Sequence, residues 1–289
     1  MPDDVDLNRS PKQMLDARGL QPRKRFGQNF LVDPRFAQRV ADAVPRDAFV
    51  VEIGAGTGSL TQALAAHVRA LVALEVDRDL VAVLCERFAD KTNVDVRECD
   101  ALDFDFHGTL ARSAPPRAIC GNLPYYITTP LIERVVECAA HWETAVVMVQ
   151  REYARRLAAK PATPEYGSLS VFVAYHCRVE RLFDVGAAGF YPAPSIASSV
   201  VRLVPREHRG AGVVDERLLL RTVRAAFAHR RKTLENCLVA RAATPAARQE
   251  IASAIGAAGL DAKIRGERLS LDDFKRLSNA LSAAGIDVA

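Results

Sequence analysis

An α/β nucleotide-binding fold followed by a smaller helical region is predicted from three observations. Residues 49–53, Phe-Val-Val-Glu-Ile, form a buried-strand run that ends in the glycine-rich turn Gly54-Ala55-Gly56-Thr57-Gly58 and passes into a helical pattern from Ser59 to about Ala66. The next strand, residues 70–76, carries Glu75 about twenty residues beyond Gly54, where such folds set an acid against ribose hydroxyls. From Val213 onward apolar residues recur at helical spacing, as at Leu219, Val223 and Phe227.

The totals agree with that class. A chain of 289 residues that is 49% hydrophobic and 26% charged has room for one large or two ordinary domains with a sizeable core. A net charge of +4 permits a nucleic-acid partner without requiring one. The six cysteines are widely spaced, with no C-x-x-C pair and no nearby histidine pattern, so neither a metal site nor a disulfide framework is expected. No stretch approaches the roughly 18 apolar residues of a membrane span, and a cytoplasmic protein without a membrane partner is expected. Nothing suggests a dimerisation element, which points to a monomer.

Residues 1–22 lack hydrophobic periodicity and are expected to be mobile. Arg23, Lys24 and Arg25 then precede Phe26, Gly27, Gln28, Asn29, Phe30 and Leu31, three cations beside aromatics and amides around a glycine. Cations of this kind steer phosphate, and the Phe, Gln and Asn side chains can close over a small ligand. Asp33 and Pro34 have the N-cap and first-position chemistry of a helix reaching about Ala43.

Two cofactors compete for the glycine turn. The spacing here is G-x-G-x-G, whereas the dinucleotide fingerprint sets its third glycine one position later and needs a pyrophosphate at the helix N-terminus. Glu52, two residues before Gly54, would repel that phosphate but attract an ammonium or sulfonium ligand, and S-adenosylmethionine carries both cations. The third strand, residues 94–99, leads to Asp100 at the carboxyl edge of the sheet, placed to accept from an adenine amine.

After the apolar run 118–120 comes Asn122-Leu123-Pro124-Tyr125. Pro124 fixes its own φ and drives Leu123 out of helical geometry, which keeps the Leu123 carbonyl free as an acceptor. Asn122 adds a side-chain carbonyl beside it. Two acceptors next to a flat ring suit a planar group with an NH2 on its edge, such as a nucleobase carrying an exocyclic amine. Further strand candidates are residues 145–149, 170–177 and 199–204.

Taken together, Arg25-Phe26-Gly27-Gln28-Asn29-Phe30-Leu31, Glu52-x-Gly54-x-Gly56-x-Gly58, Glu75-x-Asp77, Asp100 and Asn122-Leu123-Pro124-Tyr125 closely resemble the small-subunit rRNA adenine N6-dimethyltransferases, the KsgA family. The likeness runs from about Arg23 to Leu277. It includes Tyr166-Gly167-x-Leu169-Ser170, Phe190-Tyr191-Pro192, Val200-Val201-Arg202-Leu203, a helix from Ala226 through Arg230-Arg231-Lys232 to Leu234, and Arg265-x-Glu267-x-Leu269-Ser270.

The resemblance implies a Rossmann-like class I methyltransferase fold with a seven-stranded mixed sheet (residues 23–205), a linker (206–212) and a helical C-terminal domain (213–289). It implies S-adenosylmethionine as cofactor, with S-adenosylhomocysteine as product, at positions matching Asn29, Leu31, Gly54, Glu75, Asp100 and Asn122. Gln28, Glu52 and Gly56 complete the expected cofactor set. It also implies dimethylation of two adjacent adenosines in the hairpin near the 3′ end of small-subunit rRNA during ribosome assembly.

Asn122, Leu123, Pro124 and Tyr125, with Phe190 as a second stacking ring, are the expected catalytic group. Arg23, Lys24, Arg25 and the cluster Arg230-Arg231-Lys232 are the expected RNA contacts. One departure is clear. Where members of the family commonly have prolines and a lysine after Phe-x-Pro, this chain has Pro192-Ala193-Pro194-Ser195-Ile196, which weakens a phosphate grip by that loop.

Three other readings give different expectations. The related methylases of large-subunit rRNA are disfavoured by Leu123 in place of isoleucine and by the Arg265–Ser270 motif. A DNA-binding transcription factor on this fold is disfavoured by intact Glu75, Asp100 and Asn122. A dehydrogenase is disfavoured by glycine spacing and the lack of a hydride-site histidine.

Overall fold

The computed structural model describes residues 9–207, 210–229, 231–242 and 248–288. These residues fall into two compact units. One takes the chain through Ala154 together with Val179–Pro205, and the other takes Arg155–Arg178 with the chain from Arg206 onward. Residues 155–178, read from sequence as part of the first domain, group with the helical unit.

The first unit alternates strands and helices, the pattern that a parallel sheet requires. Its elements are α1 (Pro11–Asp16), β1 (Phe30–Leu31), α2 (Pro34–Asp42), β2 (Phe49–Ile53), α3 (Ser59–Ala65), β3 (Ala70–Glu75), α4 (Arg78–Arg87), β4 (Val94–Glu98), α5 (Phe106–Ala111), β5 (Arg117–Asn122), α6 (Thr128–Glu137) and β6 (Thr144–Gln150). After α7 (Arg151–Leu157) and α8 (Ser168–His176) come β7 (Cys177–Val185), β8 (Phe190–Tyr191) and β9 (Ser198–Pro205). Seven strands form one sheet in the order β4-β3-β2-β5-β6-β9-β7, while β1 and β8 pair separately. The five strands from β4 to β6 are parallel, and β9 runs antiparallel to β6.

The central strands β2, β5 and β6 are nearly continuous apolar runs because both their faces are covered. Val50, Leu71, Ala118 and Val146 pack with Val40 and Ala41 of α2 and Leu60 and Leu64 of α3. The edge strand β4 instead exposes Asp95 and Arg97, paired at 2.6 Å, and charges on an edge discourage further strand pairing.

Helix starts follow the expected chemistry. Asp33 caps α2 with Pro34 in its first turn, and Asp77 caps α4 by accepting from Asp79 N–H. The segment expected to be mobile contains α1, whose Ser10 and Gln13 form a reciprocal capping box and whose Met14 and Leu15 are buried.

Residues 170–177, expected to be a strand, are helical except for Cys177, and the strand is the following stretch, β7. The run Ser168–His176 is buried almost all round. A short apolar run of this kind has no period by which to tell a strand from a buried helix. The helix begins after Gly167, where the Ser170 hydroxyl accepts from Gly167 N–H and donates to Arg156 O at 2.6 Å.

In the second unit, α8 packs with α9 (Glu216–Phe227), α10 (Leu234–Val239), α11 (Arg248–Ala257) and α12 (Leu271–Ala283) around Tyr175, Leu219, Val223, Leu238, Ile255 and Phe274. The expected helix from Ala226 through Leu234 is not continuous: α9 ends at Phe227 with Ala228 as its C-cap, and Thr233 caps α10. The Tyr166 hydroxyl donates to Leu269 O at 2.8 Å, Ser270 caps α12, and a Cβ on Gly266 would lie 2.6 Å from Ala226 O. The two late sequence motifs thus work as packing and capping elements of this unit.

Candidate active site

Four neighbouring parallel strands deliver polar side chains to one edge of the sheet. In spatial order, Asp100 follows β4, Glu75 ends β3, Glu52 and Gly54 close β2, and Asn122 ends β5. A cavity of about 990 Å³, its open mouth included, joins them. Gln28, Asn29, Leu31, Glu52, Gly54, Gly56, Glu75, Asp100, Asn122, Leu123, Pro124 and Tyr125 all line it, so sequence-distant candidates meet in one site.

The glycine turn is already hydrogen-bonded to the protein. Gly54 and Ala55 N–H donate to Leu74 O, Gly58 N–H to Ala55 O, and Gly56 N–H to Glu75 Oε2 at 2.8 Å. A pyrophosphate needs such amides free, so the turn fits a dinucleotide poorly. Gly54, Gly56 and Gly58 all have positive φ, and a Cβ at Gly56 would reach 3.0 Å from the Phe30 ring.

The Glu75 carboxylate accepts three backbone amides, from Gly56, Val76 and Asp77. Burial raises its pKa and those amides oppose the rise. Beside it Glu52 is buried, and neither of its oxygens has a hydrogen-bond partner among the described residues. Burial pushes its carboxyl up to about 8, the nearby Thr61 hydroxyl opposing and the Glu75 charge adding to the rise. Asp100 is exposed and uses one oxygen to accept from Leu102 N–H at 2.9 Å. Its other oxygen accepts no hydrogen bond among the described residues.

These features suit S-adenosylmethionine. Glu75 and Asp100 line one cavity with a glycine turn whose amides are already taken by the protein.

At the other end of the cavity, the Asn122 Nδ2 donates to Asn29 O at 2.9 Å. The Asn29 carbonyl can only accept, so it takes the NH2 end of the amide and leaves Oδ1 outward. Asn122 Oδ1 is buried without a partner, and the Leu123 carbonyl accepts nothing among the described residues. Tyr125 opens a short 3-10 turn after Pro124, and its hydroxyl lies 2.8 Å from the buried Ser198 Oγ at the start of β9. Burial raises the Tyr125 pKa, with the Ser198 hydrogen bond opposing, so the phenol stays neutral at pH 7.

Phe190 is placed differently from its expected role. It is 4% exposed, packs in the core with Leu31 and Val185, pairs in register with Leu31 through β1 and β8, and is not among the cavity-lining residues. The ring expected to stack on the base is thus packed in the core, behind the Leu31 wall. The apolar Leu31 opposite it in register draws the ring inward.

The N-terminal cations also divide. The Arg23 guanidinium reaches Asp77 at 2.5 Å and pairs with Asp79, while Gln28 accepts from Arg23 N–H and donates to Asp77. Arg23 is thus a clamp holding the 23–31 strap to the N-terminus of α4, and its charge is already neutralised. Arg25 is exposed and lies over the Phe26 ring at 4.6 Å. Lys24 is on a short 3-10 turn, and its side chain lies outside the described residues. In the second unit Arg231 and Lys232 are exposed, and Arg230 lies outside the described residues.

Two supporting residues were not singled out from sequence. Arg87, buried, donates to Thr57 O at 2.6 Å, Met14 Sδ and Gln62, bracing the glycine turn against α1. Ser198 fixes Tyr125. An arginine at the end of an apolar helix face was a readable signal for the first, and nothing in the linear chain marks the second.

The seven-stranded sheet and the site at its carboxyl edge define a class I methyltransferase of the S-adenosylmethionine-dependent kind. The profile of the family described as "Ribosomal RNA adenine dimethylase" matches residues 19–281, and the chain belongs to that family. A protein of Aromatoleum aromaticum named "Ribosomal RNA small subunit methyltransferase A" is 43% identical over 265 residues, covering 90% of this chain and 94% of the relative. One of the same name from Geobacillus thermodenitrificans is 38% identical over 276 residues, covering 93% and 94%.

Among solved structures, a dimethyladenosine transferase from Plasmodium falciparum superposes with a TM-score of 0.77 at 23% identity, over 90% of this chain and 100% of that one. The 23S rRNA methyltransferase ErmE gives 0.65 at 26% identity, over 88% and 100%. The dehydrogenase alternative is set aside by this family membership and by the occupied amides of the glycine turn. Among the described residues no helix is long and apolar enough to cross a membrane, and no cluster of metal-ligating side chains occurs.

Proposed function

We propose that this protein dimethylates the N6 amines of two adjacent adenosines in the 3′-terminal hairpin of small-subunit rRNA, in the cytoplasm and as a monomer, during ribosome biogenesis. The observation that carries the reading is the pair of open acceptors, Asn122 Oδ1 and the Leu123 carbonyl, on a cavity shared with the glycine turn, Glu75 and Asp100. Its curated relatives bear the name of a small-subunit methyltransferase, which supports that substrate over large-subunit rRNA.

When bound, S-adenosylmethionine supplies an electrophilic methyl group on a cationic sulfur. Glu75 would hold its ribose and Asp100 its adenine amine, while Glu52, kept protonated by burial at neutral pH, lies beside the glycine turn. The protein's part in transfer is positional. An adenine N6 amine is a poor nucleophile because its lone pair is delocalised into the ring. Donating one N–H to Asn122 Oδ1 and the other to the Leu123 carbonyl favours a pyramidal nitrogen whose lone pair points along the cavity.

No strong base is needed, because the methylated amine releases its proton to solvent after each transfer. Positioning and electrostatics of this kind account for large rate factors. After the first transfer one N–H remains and one acceptor is still used. After the second there is none, and the dimethylated base loses both hydrogen bonds. Tyr125, held by Ser198, offers a face for the base, a stack worth roughly 1–3 kcal/mol. Arg25, Arg231 and Lys232 are the exposed cations offered to RNA phosphates, and Lys24 and Arg230 extend the two clusters in sequence.

Incorporation of radiolabelled methyl groups into immature small subunits, large subunits and promoter DNA tests the reading, followed by mapping of the modified nucleotides. Label in small subunits at two neighbouring adenosines is expected. Label confined to large subunits, or none with any substrate, rejects it.

A further inference from the structure

Tyr126 has no role in the chemistry above, yet it is an aromatic ring standing open at the mouth of the cavity. It is 56% exposed, follows Tyr125 in the same 3-10 turn, and lines the cavity. A surface-exposed tyrosine usually costs little to keep, but this one is seated by its surroundings. A Cβ built on Gly27 would lie 3.3 Å from the Tyr126 Cδ1, so the bare backbone of the strap forms a flat rest for the ring. Gly27 also has a φ of +60°, which favours glycine there for a second reason.

Tyr126 lines the same cavity as the carboxylates Glu75 and Asp100. Burial, followed by the charges of Asp100 and Glu75, raises the Tyr126 pKa, which places the phenol within the field of both. It bonds to neither: the recorded partners of Glu75 are backbone amides and that of Asp100 is Leu102 N–H. A ring seated on Gly27 and lining the cavity that Asp100 and Glu75 also line can serve as a stacking wall.

From this arrangement we infer that Tyr126 is a cofactor-contact residue, its ring covering the adenosyl group of the sulfonium cofactor and of its thioether product between Asp100 and Glu75. The inference rests on the cofactor reading of this cavity. Tyr125 and Tyr126 then share one turn. The first faces the substrate base and the second faces the cofactor.

Titration calorimetry with S-adenosylhomocysteine on the full chain tests this without turnover, using wild type, Tyr126→Ala, Tyr126→Phe and Glu75→Ala. Stacking of one ring predicts that Tyr126→Ala weakens binding about tenfold, while Tyr126→Phe stays within about twofold. The ligand-free melting temperature is expected to be unchanged, because the side chain is exposed. Wild-type affinity in Tyr126→Ala would overturn the inference, as would an equal loss in Tyr126→Phe or an effect confined to the KM for RNA. If the wild type itself fails to bind while folded, the cofactor reading falls, and this inference with it.

Discussion

At the glycine-turn end of the cavity the polar groups are tied to one another, whereas at the Asn122 end they are left open. Glu75 is held by three backbone amides and braces the turn that it serves. Among the described residues Asn122 Oδ1 is buried without a partner, a cost of about 1–3 kcal/mol, and the Leu123 carbonyl accepts no hydrogen bond. The difference follows from what each end must do. A cofactor of fixed shape is best met by a rigid, prepaid frame, while a base whose hydrogens are removed one at a time needs acceptors with no competing commitment.

The largest effect expected from this contrast is at the open end. Asn122→Ala removes the acceptor and the strap contact to Asn29 but no group of the glycine turn. It should cut methyl transfer by at least ~100-fold while leaving cofactor affinity within a few-fold. Single-turnover assays with calorimetry on the same preparation check this, and unchanged turnover would remove Asn122 from the reaction.

At the tied end the signature should reverse. Glu75→Ala frees the amides of Gly56, Val76 and Asp77 as well as removing the ribose acceptor, so S-adenosylhomocysteine affinity should fall by about 30-fold or more. Normal affinity by calorimetry would take Glu75 out of the ribose site. Equal losses of affinity and turnover in both variants would show that the two ends are not separable.

These residues differ in how visible they are in the linear chain. The strands, the glycine turn, Glu75 and Asn122 could be read from it because each depends on a local pattern: an apolar run, a glycine spacing, a proline that exposes a carbonyl. The Arg23 clamp and the contact that fixes Tyr125 could not. Arg23 looks like a phosphate contact until Asp77 and Asp79 are placed beside it, 54 and 56 residues away. Tyr125 owes its fixed ring to Ser198, 73 residues on. The packed position of Phe190 was hidden for a related reason, since an aromatic near a proline has the same spelling whether it faces a cavity or the core. Residues 170–177 failed differently: a helix buried on all sides has lost the period that would identify it.

Glu52 offers a third way to sharpen the comparison, through pH. Its carboxyl is raised from 4.5 to about 8 in the folded protein, so the folded state binds a proton there that the unfolded chain has already lost at neutral pH. The stability associated with that proton is fully present below about 4.5 and is lost as pH rises through about 8. Glu52→Gln lacks the titration. Relative to this variant, the wild type should lose on the order of 4 kcal/mol between pH 5 and pH 9 in denaturant melts. Parallel curves for the two proteins would show that Glu52 is not held neutral.

The smallest effect is expected at the exposed cations of the second unit. Arg231 and Lys232 are exposed and form no ion pair among the described residues, and a phosphate contact of each would add about one unit to the slope of log affinity against log salt. Replacing both by alanine should therefore flatten the salt dependence of RNA binding by about two units for duplex RNA, with cofactor affinity untouched. The same pair of changes at Arg23 and Arg25 should flatten it by about one, because Arg23 is already neutralised by Asp77 and Asp79. A slope change of two there would mean that RNA binding breaks the Arg23 clamp and loosens the strap over the cofactor.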